Sequence, residues 1–151
     1  MSPELRSESR SSLDAQLADP GDPWSFREIS IISSTNDRLT SSVYTAASRN
    51  WTTVSPEGRV VSLDLDSLAR PIHFVAPDTE PWSASYASTG ELQKIEVGSG
   101  PAKRQTIFGY DPLHRLGSIQ DAENRLVSFG YDDANRVVST ILPDGKAVGF
   151  A

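Results

Sequence analysis

Short runs in which apolar and polar residues alternate recur along this chain, each bounded by turn-forming residues. Val61, Leu63 and Leu65 fall on one face of the run 59–65, and Val127, Phe129 and Tyr131 on one face of the run 125–131. Val148 and Phe150 begin the same pattern again. A period of two in short segments is the signature of β-strands. Second runs follow, 71–75 with Ile72 and Phe74 and 136–142 with Val137, Val138 and Ile141. Pro56-Glu57-Gly58 and Pro143-Asp144-Gly145 suit tight reversals, because Pro fixes φ and Gly58 and Gly145 tolerate a positive one. The pattern predicts an all-β fold of antiparallel β-hairpins in an open or spiralling sheet.

The runs repeat with a fixed frame. Tyr110-Asp111 is followed four residues later by Arg115-Leu116, and Tyr131-Asp132 by Arg136-Val137. Weaker copies run backwards through Tyr86-Ala87 with Glu91-Leu92, Leu65-Asp66 with Arg70-Pro71, and Tyr44-Thr45 with Arg49-Asn50. The key positions 45, 66, 87, 111 and 132 are spaced by 21, 21, 24 and 21 residues. The three additional residues fit the stretch Gly98-Ser99-Gly100-Pro101, read as a longer turn. A second marker in the same register includes Asp37-Arg38, Gly58-Arg59, Asn124-Arg125 and Gly145-Lys146. Internal repetition of this kind points first to a stacked array rather than to a catalytic domain.

The repeated residues have a mechanical reading. Each Asp can accept from backbone N–H groups two residues on and close an Asx-type turn. The Arg four residues later is then near enough to pair with it. Exposed ion pairs contribute little to stability, so the pair is expected to fix register while the aromatic residues supply burial. On this reading Asp66 and Arg70, Tyr110, Asp111 and Arg115, and Tyr131, Asp132 and Arg136 are structural positions, with Gly58 and Gly145 marking the reversals.

Composition narrows the function classes. The length of 151 residues allows one domain. Residues 1–23, rich in Ser, Asp, Glu and Arg, read as a disordered polar leader, and 24–151 as the repeat segment. The formal net charge is −6 and Lys and Arg are not clustered, which argues against nucleic acid and anionic membranes as partners. There is no Cys, so thiolate metal sites and disulfides are excluded. No apolar run approaches the length of a membrane-spanning helix, and the first residues lack the apolar core of a signal peptide.

The search for reactive chemistry returns little. His73 and His114 have no partner at a useful sequence spacing and read as solvent-facing. Asp64-Leu65-Asp66 opens like a calcium loop, but Ala69 and Val75 stand where that loop needs Gly and Glu. The carboxylate pairs Asp132-Asp133 and Asp121-Ala122-Glu123 fall in turns, where Asp serves the backbone. No nucleophile elbow or phosphate loop is present. No metal, cofactor or catalytic site is expected, and the chain reads as a non-enzyme. Trp24, Trp51 and Trp82 could stack on sugar rings, with packing between repeats the stronger expectation.

The frame Phe108-Gly109-Tyr110-Asp111 to Arg115-Leu116, repeated at 129–137 and followed by Pro143-Asp144-Gly145, resembles the YD repeat, also called the RHS repeat. That resemblance implies a long β-sheet that spirals into a hollow shell. In bacterial members, such as Rhs proteins and the C component of Tc toxins, the shell encloses a C-terminal toxin domain; animal teneurins carry a similar shell outside the cell. The family implies a secreted or cell-surface location, and carbohydrate as an alternative partner. With fewer repeats than a closed shell needs, this chain is expected to be a piece of such a shell. It is expected to contact neighbouring repeats, or further copies through its sheet edges.

Overall fold

In the computed structural model of the chain, residues 9–150 are described. The fold is all-β, with no α-helix among these residues, as the alternation predicts. It divides into two compact units, Met1–Pro81 and Trp82–Ala151. In the first, β1 (Ser9–Leu17), β2 (Phe26–Thr35), β3 (Arg38–Thr45), β4 (Asn50–Val54), β5 (Val60–Leu65) and β6 (Pro71–Val75) each pair antiparallel with the next. In the second, β7 (Trp82–Tyr86), β8 (Leu92–Val97), β9 (Arg104–Tyr110), β10 (Leu116–Gln120), β11 (Leu126–Tyr131), β12 (Val137–Ile141) and β13 (Ala147–Gly149) do the same. A 3-10 turn over Gly100–Ala102 lies in the longer connection expected between β8 and β9.

Each unit is a single layer with two unlike faces, because successive side chains of a strand point to opposite sides. In the first unit Ile29, Tyr44, Trp51, Leu63 and Phe74 lie side by side across five strands. The Tyr44 and Trp51 rings are 5.3 Å apart, so Trp51 serves packing. The next row, on the opposite face, is Glu28, Thr45, Asn50, Asp64 and His73. In the second unit Phe108, Ile119 and Val127 share a row, and Phe129 pairs with Thr140 on the same face. No described residue is fully buried, polar or apolar. The half-covered apolar rows take the place of a core.

Two expectations need correction. Of the polar leader expected over 1–23, residues 1–8 lie outside the described residues, but Ser9–Leu17 is a strand rather than a disordered segment. Leu13 and Ala15 alternate with Ser12, Asp14 and Gln16, and pair with Ile31 and Ile29 of β2. Polar composition hid this alternation. The frame at 45 is also displaced. There the turn runs from Ala46 to Arg49, whose N–H donates to the Ala46 carbonyl, and Arg49 itself takes the positive φ. Asn50 therefore holds the place that an Arg holds in later copies.

One five-residue reversal recurs. The first residue's N–H donates to the fifth residue's carbonyl, and the fourth residue's N–H donates to the first residue's carbonyl. This pair of bonds closes turns at 55–59, 66–70, 87–91, 111–115, 121–125, 132–136 and 142–146. The fourth position has positive φ each time, filled by Gly58, Ala69, Gly90, His114, Asn124, Asn135 and Gly145. A tight turn followed by a left-handed residue is a standard three-residue hairpin connection. The β2–β3 hairpin instead uses a two-residue turn, Asn36-Asp37, with both φ positive.

The 21-residue repeat is thus two hairpins. The turns at 66, 87, 111 and 132 each adjoin a register shift, beside Leu65, Tyr86, Leu116 and Tyr131. The pairing beside the turns at 55, 121 and 142 continues without one. A bulge inserts one residue into one strand only. The unpaired residue of each shift, Ile72, Gln93, Gly117 or Val138, falls on the strand that follows the turn, so the two hairpins of a repeat differ in register; they differ in length too, ten residues from Asp111 to Asp121 and eleven from Asp121 to Asp132.

Candidate functional site: the clamped turns

The predicted Asp and Arg positions come together as a clamp of fixed geometry. Oδ1 of Asp111 accepts from the N–H groups of Leu113 (2.9 Å) and Arg115 (3.0 Å), and Oδ2 accepts from Arg115 Nε (2.7 Å). Asp66 holds Leu68 and Arg70 in the same way, and Asp132 holds Ala134 and Arg136. Sequence reasoning missed a further member. Asp121 accepts from Glu123 and Arg125 N–H and from Arg125 Nε at the same distances, so it is a clamp and not half of a carboxylate pair. Its four-residue Asp-to-Arg spacing was visible; the Gln120 that stands where Tyr110 and Tyr131 precede the other turns concealed it. At 55–59 the Ser55 hydroxyl replaces the carboxylate and accepts from Glu57 and Arg59 N–H. Gly58 and Gly145 sit at the fourth position of their turns, each with positive φ.

The clamp sets the charge state. The carboxyls of Asp66, Asp111, Asp121 and Asp132 are held below the ordinary aspartate range, first by the backbone N–H of the Arg four residues on. The Arg side chain adds to this and partial desolvation opposes it. A carboxylate that accepts several N–H bonds is favoured in its charged form.

In the second unit the clamps are also tied to one another. Arg115 Nη1 leaves its own turn and donates to the Asp132 carbonyl (3.1 Å) and to Asn135 Oδ1 (2.9 Å). Its guanidinium lies 4.6 Å from the centre of the Tyr131 ring. The Tyr131 hydroxyl donates back to the Leu116 carbonyl at 2.8 Å. Tyr110 does the same one step earlier, to the Leu92 carbonyl at 3.0 Å. The fifth residue of turn 87–91, Glu91, bonds the fourth residue of turn 111–115, His114. Fifth position to fourth position is thus the shared rule, with Glu91–His114 and Arg115–Asn135 as two chemical versions of one rung. His114 is a rung member, not a free surface histidine.

Other candidates resolve similarly. His73 has a partner after all: its Nδ1 lies 3.1 Å from Asp64 Oδ2 on the neighbouring strand. Asp64 Oδ1 accepts from Asn50 Nδ2, which also donates to Ser62 Oγ. The Asn50 side-chain amide is therefore occupied. A shallow cleft at turn 121–125 includes Arg104 and Arg125, but Arg125 is already engaged by Asp121 and Glu123. No group of three or more metal-ligating side chains occurs among the described residues.

Turns clamped at Asp111, Asp121 and Asp132 lie within one stretch of the second unit, and residues 110–147 match the family model described as the RHS repeat. This segment is an RHS repeat. No curated protein matches the chain. The RHS repeat is a structural repeat, and the clamps and rungs are the parts of it that hold one hairpin to the next.

Proposed function

We propose that the chain is a wall segment of an RHS-type shell, of the kind that encloses a toxin domain. The observation that carries this reading is that each unit is a sheet one layer thick, with an apolar face, a polar face and no buried residue among the described residues. A packed domain hides its apolar face under a second layer. A wall separates an inside from an outside, and unlike faces suit that role. Side chains in the turns are spent on hydrogen bonds to the turn and its neighbours, which serves shape rather than chemistry. Sheet edges with open hydrogen-bonding groups would join the segment to further repeats or copies.

Carbohydrate binding at a cell surface is the second reading, and Trp24 favours it. This side chain is 80% exposed in the connection between β1 and β2, where a ring could stack on a sugar.

Sedimentation of the purified full chain over a range of concentrations, followed by negative-stain imaging, tests the wall. Concentration-dependent growth into curved single-layer sheets is expected. A monomer at every concentration, with a saturating tryptophan fluorescence response on a glycan panel, would overturn the wall in favour of the binding module.

A further inference from the structure

The connection between β1 and β2 is a closed loop that holds one tryptophan outward. The Ala18 N–H donates to the Ser25 carbonyl, and the Ser25 hydroxyl accepts from the Asp19 N–H at 2.9 Å and faces the Asp19 and Asp22 carbonyls at 2.8 Å. Asp19 Oδ1 accepts from the Gly21 N–H, and Asp22 Oδ1 from the Trp24 N–H. The polar side chains of the loop are thus spent on its shape. Trp24 is 80% exposed and has no ring partner among the described residues. Three residues on, the Arg27 carbonyl accepts from the Ala46 N–H, and Ala46 and Arg49 begin and end the turn into β4. Arg27 and Arg49 are therefore two strand spacings apart, about 10 Å. Both are exposed, and neither side chain has an ion pair or hydrogen bond among the described residues. The reason is local. Ala46 stands where Asp66, Asp111, Asp121 and Asp132 open the clamped turns, so no carboxylate receives Arg49. Glu28, next to Arg27, lies in the polar row and points to the other side of its strand. Nine other Lys and Arg side chains are paired with carboxylates, in a chain with 20 acidic residues against 14 Lys and Arg.

We propose that Trp24, Arg27 and Arg49 form a docking site for an acidic segment of another protein, one that presents carboxylates beside an apolar side chain. Trp and Arg are the residue types that carry most binding energy at protein interfaces. A ring held out by a hydrogen-bonded loop loses little freedom when it is covered, so its apolar surface is available for binding at low entropic cost. The two guanidinium groups supply fixed forks for carboxylates, and charge-assisted bonds of that kind are the stronger ones. The chain's own excess of acid leaves these two cations without partners, so the missing carboxylates come from outside. A sugar on Trp24 would need side chains around the ring to bind its hydroxyls. Asp19, Asp22 and Ser25 are already engaged by the loop, which favours a peptide at this place. A nucleic acid would meet a chain of net charge −6. The inference goes beyond the wall reading and holds whether or not the chain assembles.

Selection of a random peptide library on the immobilised full chain provides the test, with the enriched peptide then labelled and titrated by fluorescence anisotropy. Enriched peptides should carry Asp or Glu close to an apolar residue, and their binding should weaken as salt rises. Arg27→Gln and Arg49→Gly should each weaken it at least about tenfold, since each removes a hydrogen bond between charged groups. Arg49→Gly suits the positive φ of 51° at that position, so it removes the cation without straining the turn. Trp24→Ala should weaken binding by a similar factor. No enrichment, enrichment of peptides without carboxylates, or affinity unchanged in all three variants would overturn the site. Tighter binding of a uronic-acid oligosaccharide than of any peptide, lost in the same variants, would overturn it in favour of a sugar. Self-association lost in those variants, with no peptide bound, would overturn it in favour of a second copy.

Discussion

Arg115 Nη1 donates to Asn135 Oδ1 at 2.9 Å, so one side chain closes its own turn and braces the next. Arg125 has the same bond to its own Asp but reaches no further than Glu123. The two arginines separate local closure from bracing between hairpins. Arg115→Lys should destabilise the chain by about 1–2 kcal/mol, because a lysine cannot donate in two directions and cover Tyr131 at once. Arg125→Lys should cost clearly less. Urea unfolding of the two variants side by side checks the order; equal losses would mean that the brace contributes nothing.

Left-handed backbone gives the cleanest single-site prediction. Ala69 has φ 60° at the fourth position of its turn, where other copies carry Gly, Asn or His. A non-glycine residue in that region costs about 1–2 kcal/mol. Ala69→Gly should therefore stabilise by about 1 kcal/mol after the extra freedom glycine gives the unfolded chain. Gly58→Ala, at φ 75° with open space around the new methyl group, should do the reverse. Thermal or urea midpoints moving in the same direction for both variants would contradict this.

The clamps were only partly legible in the sequence. Asp111 and Asp132 stood out because Tyr110 and Tyr131 marked them; Asp121 lacked that marker, so it read as a turn residue serving the backbone and its pairing with Arg125 went unseen. The contact of His73 with Asp64 depends on strand register, which a nine-residue separation does not reveal. The displaced turn at Ala46 follows from the same cause: the strand pairing beside it runs without a shift, so the 21-residue count fails there by one. The alternation that marked the runs 59–65 and 125–131 was present in Ser9–Leu17 too, but its serines disguised it. Spacing showed that a turn exists; only the pairing showed which residue of the turn does what.

Acid should unfold the chain through the clamps. The folded-state pKa values of Asp66, Asp111, Asp121 and Asp132 are depressed. The unfolded chain therefore binds these protons first as pH falls. Stability from this source is complete above the ordinary aspartate value of about 3.9 and is lost as pH drops through the lowered folded values. Glu91 is depressed in the same direction, mainly by its bond from Thr89, with His114 adding to it. Unfolding midpoints measured from neutral pH down to about pH 2 should be flat and then fall below about pH 4. Asp111→Asn should be less stable at neutral pH and show a shallower fall. An acid limb of unchanged depth in that variant would exclude the clamp as its cause.

Close packing explains the glycines of the Phe-Gly-Tyr strands. A methyl group at Gly109 would meet Ser118 Oγ, and one at Gly130 would meet Ser139 Oγ, its cross-strand partner. Gly130→Ala should cost about 1–3 kcal/mol through overpacking. Ser139→Ala in the same chain should recover most of it, since the clash is with the hydroxyl. A double variant no more stable than Gly130→Ala alone would place the strain in the backbone instead.

The central claim is that, in the repeat from Asp111 to Asp132, the turns of both halves are closed by the same carboxylate clamp, whether or not a tyrosine precedes it. Native-state hydrogen exchange at single-residue resolution tests it directly, through the Arg115, Arg125 and Arg136 amides that donate to Asp111, Asp121 and Asp132. Slow exchange is expected at all three, with the Arg125 amide accelerated in Asp121→Ala just as the Arg115 amide is in Asp111→Ala. Rapid exchange at Arg125 beside slow exchange at Arg115 and Arg136 would contradict the claim and leave only the Tyr-Asp turns as clamps.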